Sequence, residues 1–202
     1  MSRTALEHLL KNLCALTNEQ EWLEFKENNA APDMIGETIS ALANGARLRG
    51  EPCGYLVWGV RDTDHAIVGT TFQPATARKG NEELEHWLVR MLTPRLDLRY
   101  HTINVDGQRI VVLEIPAALH MPVQFSGREY VRVGSLCKPL KNYPEKEREL
   151  WQLLNVSRFE QGVAKAGVES DAILQLLDYP KYFELTGQPL PAGKDGILER
   201  LV

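Results

Sequence analysis

Three acidic residues are spaced so that they could share a metal ion. Glu24 and Lys26 alternate along a short segment with strand character, so their side chains point to the same face. Glu19 precedes them by one short turn, and Asp62 follows the next apolar run, "YLVWGV". If the strand formed by that run pairs with residues 21–27, the three carboxylates lie at the same edge of the sheet. They would repel one another there unless a cation lay between them.

Carboxylate oxygens suit magnesium or manganese, and such an ion can activate water and stabilise a phosphodiester transition state. Lys26 could then neutralise the phosphate. The same spacing permits an interpretation without metal, in which Glu24 and Lys26 form a charge pair, Asp62 is a turn residue and Glu19 lies in a helix-to-strand linker. The remaining glutamates of this segment are expected to be solvated: Glu21 and Glu27.

A second group of residues could hold the backbone of a nucleic acid. In "GREYVRVGS" the side chains of Arg128, Tyr130 and Arg132 alternate onto one face of a predicted strand, where two guanidinium groups flank an aromatic ring. Ser135 follows at a turn whose exposed backbone N–H groups could meet a phosphate, and Lys138 adds charge. A solvent-facing strand, with Tyr130 packed against arginine stems, explains the same pattern.

Two further arginines, Arg47 and Arg49, follow a predicted helix in "NGARLRG". They could contact nucleic acid, although compensation of the helix dipole also explains positive charge at a helix C-terminus. The net charge of the 202-residue chain is −4, so there is no chain-wide basic signal for nucleic acid. Such a contact therefore needs a local basic face.

Other classes of site find little support. The segment "GQPLPAGKD" is superficially like a phosphate loop, but its glycines are one residue too far apart and Asp195 follows Lys194 where Ser or Thr should bind magnesium. We therefore predict no ATP site. Three well-separated cysteines indicate free thiols in a reducing cytoplasm. No apolar run approaches the ~18 residues that a membrane-spanning helix needs, so no membrane partner is predicted.

The hydrophobic patterns predict an α+β fold, with a mixed and largely antiparallel sheet flanked by helices. "YLVWGV" predicts a buried central strand and "AIVGTTF" its hairpin partner, while Asp106-Gly107 and Ser126-Gly127 predict the turns of two further hairpins. We expect an N-terminal helix at 1–16, one domain at 17–141 and a helical C-terminal extension at 142–202. The helical pattern of that extension continues to its last residue without a C-cap, as expected of a chain cut from a longer protein.

The order of these segments resembles the Schlafen/AlbA-like DNA-binding domain. The segments that carry the resemblance are "EQEWLEFKEN", "ISALANGA", "GYLVWGVRDTDHAIVGT", "VVLEIP" and "YVRVGS", over roughly residues 17–140. The resemblance implies an α+β domain that binds RNA or DNA. Many bacterial proteins that carry this domain are labelled transcriptional regulators or ATP-binding proteins.

Some Schlafen proteins are metal-dependent RNases that act on tRNA and rRNA, through two glutamates and an aspartate after the next strand. That pattern falls on Glu19, Glu24 and Asp62, and implies an endoribonuclease that uses Mg or Mn. The loop after Asn44 is longer than the Asn-x-x-Gly-Gly of many members, so the region near the site differs. Because animal nucleases join two lobes into a clamp, one lobe implies a homodimer.

Catalysis is not shared by all members of the family, so two alternatives stay open. The first is a non-catalytic DNA-binding module of a transcriptional regulator, which would need the arginines but neither carboxylates nor metal. The second is an interaction module that assembles through its helical tail and binds no nucleic acid.

Overall fold

The computed structural model describes residues 3–16, 20–160, 174 and 177–201. The chain divides into two compact units, residues 1–160 and residues 161–202. The first unit contains every strand of the described part of the chain. The segment "SDAILQLLDYPKYF" predicts a helix that begins at Ser170, and this start lies outside the described residues.

Two four-stranded sheets form the framework of the first unit. The first sheet contains, in spatial order, β1 (Leu23–Lys26), β2 (Cys53–Trp58), β7 (Gln108–Pro116) and β6 (Arg99–Val105). The second contains β10 (Leu136–Pro139), β9 (Arg128–Val133), β8 (Gln124–Phe125) and β5 (Leu92–Thr93). Strands β3 (Arg78–Lys79) and β4 (Glu82–Glu83) pair with each other in a separate two-stranded sheet. Among the described pairs only β1 and β2 run parallel, which confirms the mixed, largely antiparallel arrangement.

Four helices complete this unit: α1 (Arg3–Cys14), α2 (Pro32–Arg49), α3 (Leu84–Met91) and α4 (Pro144–Glu160). Helix α1 packs its leucines on one face of the first sheet, against Leu23 and Phe25 of β1. Helix α2 contacts both sheets, including β2 of the first and β9 of the second. Because side chains alternate along a strand, Glu24 lies on the face of β1 opposite α1, towards α2.

Helix α2 is buried around most of its circumference, as expected for a helix packed between two layers. Two glycines permit the close approach of its neighbours. A Cβ at Gly36 would lie 2.1 Å from the ring of Phe125, and a Cβ at Gly45 would lie 2.0 Å from the carbonyl oxygen of Glu21. Any larger residue would therefore push a sheet or the chain before β1 away from the helix.

Two polar residues of α2, Ser40 and Asn44, are fully buried and bind the backbone of the β8–β9 region. The Asn44 side chain accepts a hydrogen bond from Val123 N–H (2.7 Å) and donates to the carbonyl oxygens of Val123 (3.0 Å) and Tyr130 (2.9 Å). Ser40, one turn earlier, donates to the Val123 carbonyl (2.7 Å) and accepts from Tyr130 N–H (3.0 Å). These bonds fix the second sheet to the helix.

Both predicted hairpin turns are confirmed. Asp106 and Gly107 join β6 to β7 with φ of 49° and 80°, and Ser126 and Gly127 join β8 to β9 with φ of 50° and 74°. Two successive residues with positive φ are what a type I′ hairpin turn requires.

The predicted strand "AIVGTTF" is wrong. Within that segment only Ile67 pairs as in a sheet, through an isolated bridge to Val60. Gly69 then adopts a left-handed conformation (φ 80°), which ends the extended course of the chain. Thr70 donates its N–H to the Arg109 carbonyl (2.8 Å) and its hydroxyl to Asn28 (2.9 Å). The segment therefore links the β6–β7 hairpin to the loop after β1.

The described part of the second unit contains two helices, α5 (Tyr179–Thr186) and α6 (Lys194–Leu201). Asp178 caps α5 by accepting a hydrogen bond from Lys181 N–H (3.3 Å), and Gly187 ends it in the left-handed conformation. Phe183 and Ile197 are buried. None of the described helices has the length and apolar character needed to cross a membrane.

We predict that Asn44→Ala lowers the free energy of unfolding by about 3 kcal/mol, because three buried backbone groups lose a partner. Urea denaturation followed by circular dichroism measures the change. Asn104→Ala on the exposed face of β6 is the matched control and should stay within about 0.5 kcal/mol of the original chain. Equal effects of the two substitutions would contradict the role assigned to Asn44.

Candidate functional site

Glu24 lies in a buried group of charges that connects the two sheets. Its side chain is 5% exposed, and its carboxylate pairs with the ammonium group of Lys26 on β1 and with the guanidinium group of Arg132 on β9. Arg132 is also shielded, at 3% exposure. The Lys26 side chain is 26% exposed and is the member that reaches solvent. We call these three residues the Glu24 cluster.

The Glu24 cluster carries two positive charges and one negative charge. A carboxylate and a guanidinium removed from water are costly unless each is paired, so Glu24 and Arg132 depend on one another. The surplus positive charge belongs to Lys26, at the surface. The arrangement can therefore offer one cation to an anionic ligand without exposing the buried pair.

The three predicted metal ligands are placed differently. Glu19 lies outside the described residues, Glu24 is buried in its cluster, and Asp62 is exposed in the turn that follows β2. The pairing on which the predicted site was conditional is present: β1 pairs with β2, with Lys26 opposite Trp58, so the turn at Asp62 lies beyond the end of both strands. Within the described ranges no three acidic, His or Cys side chains are grouped to hold a metal ion. Metal binding stays a prediction.

Only Arg128 of the predicted Arg–Tyr–Arg platform is exposed. Tyr130 is 8% exposed and donates its hydroxyl to Glu37 of α2 (3.2 Å), and burial followed by the nearby Glu37 carboxylate raises its pKa. The alternation of charged and apolar residues suggested a solvent-facing side, but α2 covers that side of β9. A nucleic-acid contact by Tyr130 or Arg132 stays a prediction.

Two exposed cations, Arg128 and Lys141, and the half-buried Lys138 lie along the β9–β10 hairpin and the chain that follows it. β10 runs antiparallel to β9 with Lys138 opposite Val131, so the chain that continues to Lys141 passes the end of β9 at which Arg128 lies. Ser135 is exposed in the turn at the other end. We call Arg128, Ser135, Lys138 and Lys141 the basic ribbon. Among the described residues, no carboxylate forms an ion pair with its three cations.

Arg47 and Arg49, also predicted to bind nucleic acid, contact other parts of the domain. Arg47 donates to the carbonyl oxygen of Leu153 in α4, and Arg49 pairs with Glu21 at 2.7 Å. Both lie in the last turn of α2, where positive charge also compensates the helix dipole. A contact with nucleic acid would have to add to these bonds or replace them.

The expectation that Glu21 is solvated is wrong, because its side chain is only 18% exposed and binds two cations. Arg49 of α2 and Lys146 of α4 both contact the same carboxylate oxygen, at 2.7 Å. Burial alone would raise the pKa of Glu21, but the hydrogen bonds from Lys146 and Arg49 hold it below the usual range. Glu27, in contrast, is exposed as predicted and pairs with Arg61 at 3.3 Å.

The described part of residues 20–141 is an α+β domain in which two sheets pack on one buried helix. Residues 19–141 match the profile of the Schlafen AlbA_2 domain. Since this match covers more than half of the chain, the protein belongs to the Schlafen AlbA_2 family.

Two of the solved structures that are similar to the chain come from Corynebacterium diphtheriae and Nitrosomonas europaea. The crystal structure of the DIP2311 protein from Corynebacterium diphtheriae is 19% identical, with a TM-score of 0.45, and the match covers 68% of this chain and 26% of that one. The solution structure of the N-terminal domain of a protein from Nitrosomonas europaea, named as related to the ATP-dependent DNA helicase RecG, is 28% identical, with a TM-score of 0.41 and coverage of 64% and 88%. The chain thus spans about a quarter of the DIP2311 protein. No curated protein matches the chain.

We predict that Glu21 stabilises the fold above pH 4.5 and loses this effect in acid. Its pKa in the folded chain lies below the ordinary 4.5, so the unfolded chain binds its proton first. The stabilisation is therefore present above pH 4.5 and disappears as the pH falls through the folded pKa. Denaturant unfolding measured across this pH range should show that the free energy of unfolding falls less steeply in acid for Glu21→Gln than for the original chain. If the free energy of unfolding has the same pH dependence in the two proteins, the assignment is contradicted.

Proposed function

We propose that this domain binds nucleic acid through the basic ribbon, with Lys26 as a further cation. The observation that carries the proposal is that the exposed Arg128 and Lys141 and the half-buried Lys138 have no carboxylate partner in the described part of the chain. Contacts of Lys and Arg with phosphate supply most of the affinity for nucleic acid that does not depend on sequence. Membership of the Schlafen AlbA_2 family supports the same function.

The geometry of the ribbon suits a phosphodiester backbone. Arg128 and Lys141 lie near one end of the hairpin, Lys138 lies midway along β10, and the turn at Gly134 and Ser135 forms the other end. Gly134 has a φ of 58°, and a turn with a left-handed residue can direct neighbouring N–H groups to an anion. Because Lys138 pairs with Val131, its side chain lies on the face of the hairpin opposite to that of Arg128. The cations can therefore contact phosphates of RNA or DNA from both faces and from the end of the hairpin.

We predict that replacing Arg128, Lys138 and Lys141 together with Ala weakens binding to a fluorescein-labelled RNA hairpin, measured by anisotropy at several salt concentrations. The slope of log affinity against log salt should fall by about 2, because each lost phosphate contact contributes roughly 0.7–0.9. The matched control replaces three exposed arginines that already have acidic partners, Arg61, Arg90 and Arg99.

The control carries the same change in charge as the ribbon variant, so long-range electrostatics affect both proteins alike. Binding that is lost equally in the two variants, or that is absent from the unmodified chain at low salt, would contradict the proposed interface.

A second candidate function is cleavage of structured RNA such as tRNA. The observation that favours it is the parallel pairing of β1 with β2, which brings Lys26 and the turn at Asp62 to the same end of the two strands. Glu19, Glu24 and Asp62 would hold the metal, since carboxylates are the ligands that magnesium and manganese prefer. The bound ion would polarise the phosphate and activate water. A homodimer would supply the second lobe of a clamp.

Within the chain, Lys26 would neutralise the scissile phosphate, and Glu24 would have to exchange one of its present cations for the metal. A non-catalytic DNA-binding module of a transcriptional regulator is the alternative, and it would use the basic ribbon without metal. The two functions differ in whether binding or cleavage depends on the carboxylates.

For the catalytic function, we predict that Asp62→Asn reduces cleavage of tRNA in the presence of manganese by at least about 100-fold, as expected when a metal ligand is lost. Asp62 is exposed, so the substitution should leave the fold intact. Asp97→Asn is the control, because Asp97 is an exposed carboxylate before β6, at the opposite edge of the first sheet. Equal cleavage by both variants, or none by the unmodified chain, would remove the catalytic proposal.

A further inference from the structure

We infer that Glu24 competes internally with nucleic-acid phosphate for Lys26, so that the charge of Glu24 lowers the affinity of the domain for nucleic acid. This inference rests on the proposed nucleic-acid binding. It assigns Glu24 a role that needs no metal.

The geometry identifies Lys26 as the cation that can leave the cluster. Lys26 and Glu24 are two residues apart on one face of β1, and the Lys26 ammonium group bonds the Glu24 carboxylate. The Lys26 side chain is 26% exposed, and its flexible stem can carry the ammonium group outward. Arg132 is almost completely enclosed and cannot reach a ligand without a change in the fold.

Arg132 also makes the release of Lys26 inexpensive. If Lys26 turned to a phosphate, Glu24 would keep the guanidinium group of Arg132 as its partner. No buried charge would be left alone, so the large penalty for breaking a buried ion pair does not apply. The remaining cost is the lost attraction between Lys26 and Glu24, and nucleic acid must offset it to gain the contact.

Removal of the Glu24 charge should therefore strengthen binding. Two cations now share one carboxylate, and Glu24→Gln would leave Lys26 without an internal anion while keeping an oxygen that can accept a hydrogen bond. Glu24 withholds Lys26 from phosphate in the unmodified chain, so the variant gains at most one phosphate contact, which adds up to roughly 0.7–0.9 to the slope of log affinity against log salt. We expect an affinity gain of about fivefold at low salt, the size of one modest charge interaction.

The experiment compares Glu24→Gln with Glu27→Gln in anisotropy titrations of the labelled RNA hairpin, with EDTA present so that no divalent metal takes part. Glu27 is the matched control, because it lies just after β1, carries the same charge and pairs with Arg61, which also pairs with Asp64. Glu24→Gln should bind about fivefold tighter with the steeper salt slope. Glu27→Gln should change the affinity less than twofold.

A third variant, Glu24→Gln with Lys26→Gln, identifies the cation responsible and should lose the gain. Thermal unfolding of each variant establishes that it is folded at the temperature of the titration. If Glu24→Gln alone is unfolded, Glu24→Gln with Arg132→Gln replaces it, because that variant removes both charges of the buried pair and still frees Lys26.

The outcomes separate this inference from the function on which it rests. If the unmodified chain binds RNA but Glu24→Gln behaves like Glu27→Gln, or the gain persists without Lys26, the inference is overturned and the proposed function stands. If the unmodified chain and every variant fail to bind at low salt, the proposed function and the inference both fall.

Discussion

The ion pair between Glu24 and Arg132 is buried where the two sheets meet beside α2, and the arrangement of charge in the domain follows from it. Glu24 belongs to β1 of the first sheet and Arg132 to β9 of the second, so the pair joins elements that share no backbone hydrogen bond. Neither group can turn to water without opening the packing around α2. The pair therefore constrains how the two sheets are placed on the helix.

The charged residues of the domain divide between internal contacts and the surface. Arg132 joins the two sheets, Arg47 joins α2 to α4, and Glu21 joins the chain before β1 to α4. The cations of the basic ribbon, with Lys26 beside the buried pair, are the group from which we derive the proposed phosphate contacts. A chain with a net negative charge can thus still present a local basic face, because many of its acids already have partners.

Local patterns in the sequence predicted the turn conformations and the buried residues of single strands, because these depend on residues that are neighbours in the chain. The positive-φ pairs at Asp106-Gly107 and Ser126-Gly127, and the burial of Leu23 and Phe25, follow from a few neighbouring residues. The failed prediction for "AIVGTTF" has a local cause as well, since the left-handed Gly69 ends the extended segment. Family membership likewise followed from the order of short segments, each weak alone.

The partners of the charged residues could not be predicted in this way, because they come from distant parts of the chain. Strand β9 alternates like a half-exposed strand, yet both Tyr130 and Val131 are buried, since the second sheet packs on α2. The sequence therefore placed Glu24 in one candidate site and Arg132 in another, whereas the fold pairs them. Ser40 and Asn44 were missed for the same reason, and their polarity beside the apolar run Ala41–Leu42–Ala43 of α2 was the available signal.

The most direct test of this account is a double-mutant cycle on the free energy of unfolding, with Glu24→Gln, Arg132→Gln and the two combined. We expect Glu24→Gln to destabilise the chain by about 3–5 kcal/mol, because the buried Arg132 loses the Glu24 carboxylate, and Arg132→Gln to destabilise it less, because Glu24 keeps Lys26 as a partner. The double variant should be more stable than Glu24→Gln, with a coupling energy of about 3 kcal/mol. Additive effects, with a coupling energy below about 0.5 kcal/mol, would contradict the account, since they would show that Glu24 and Arg132 do not depend on one another.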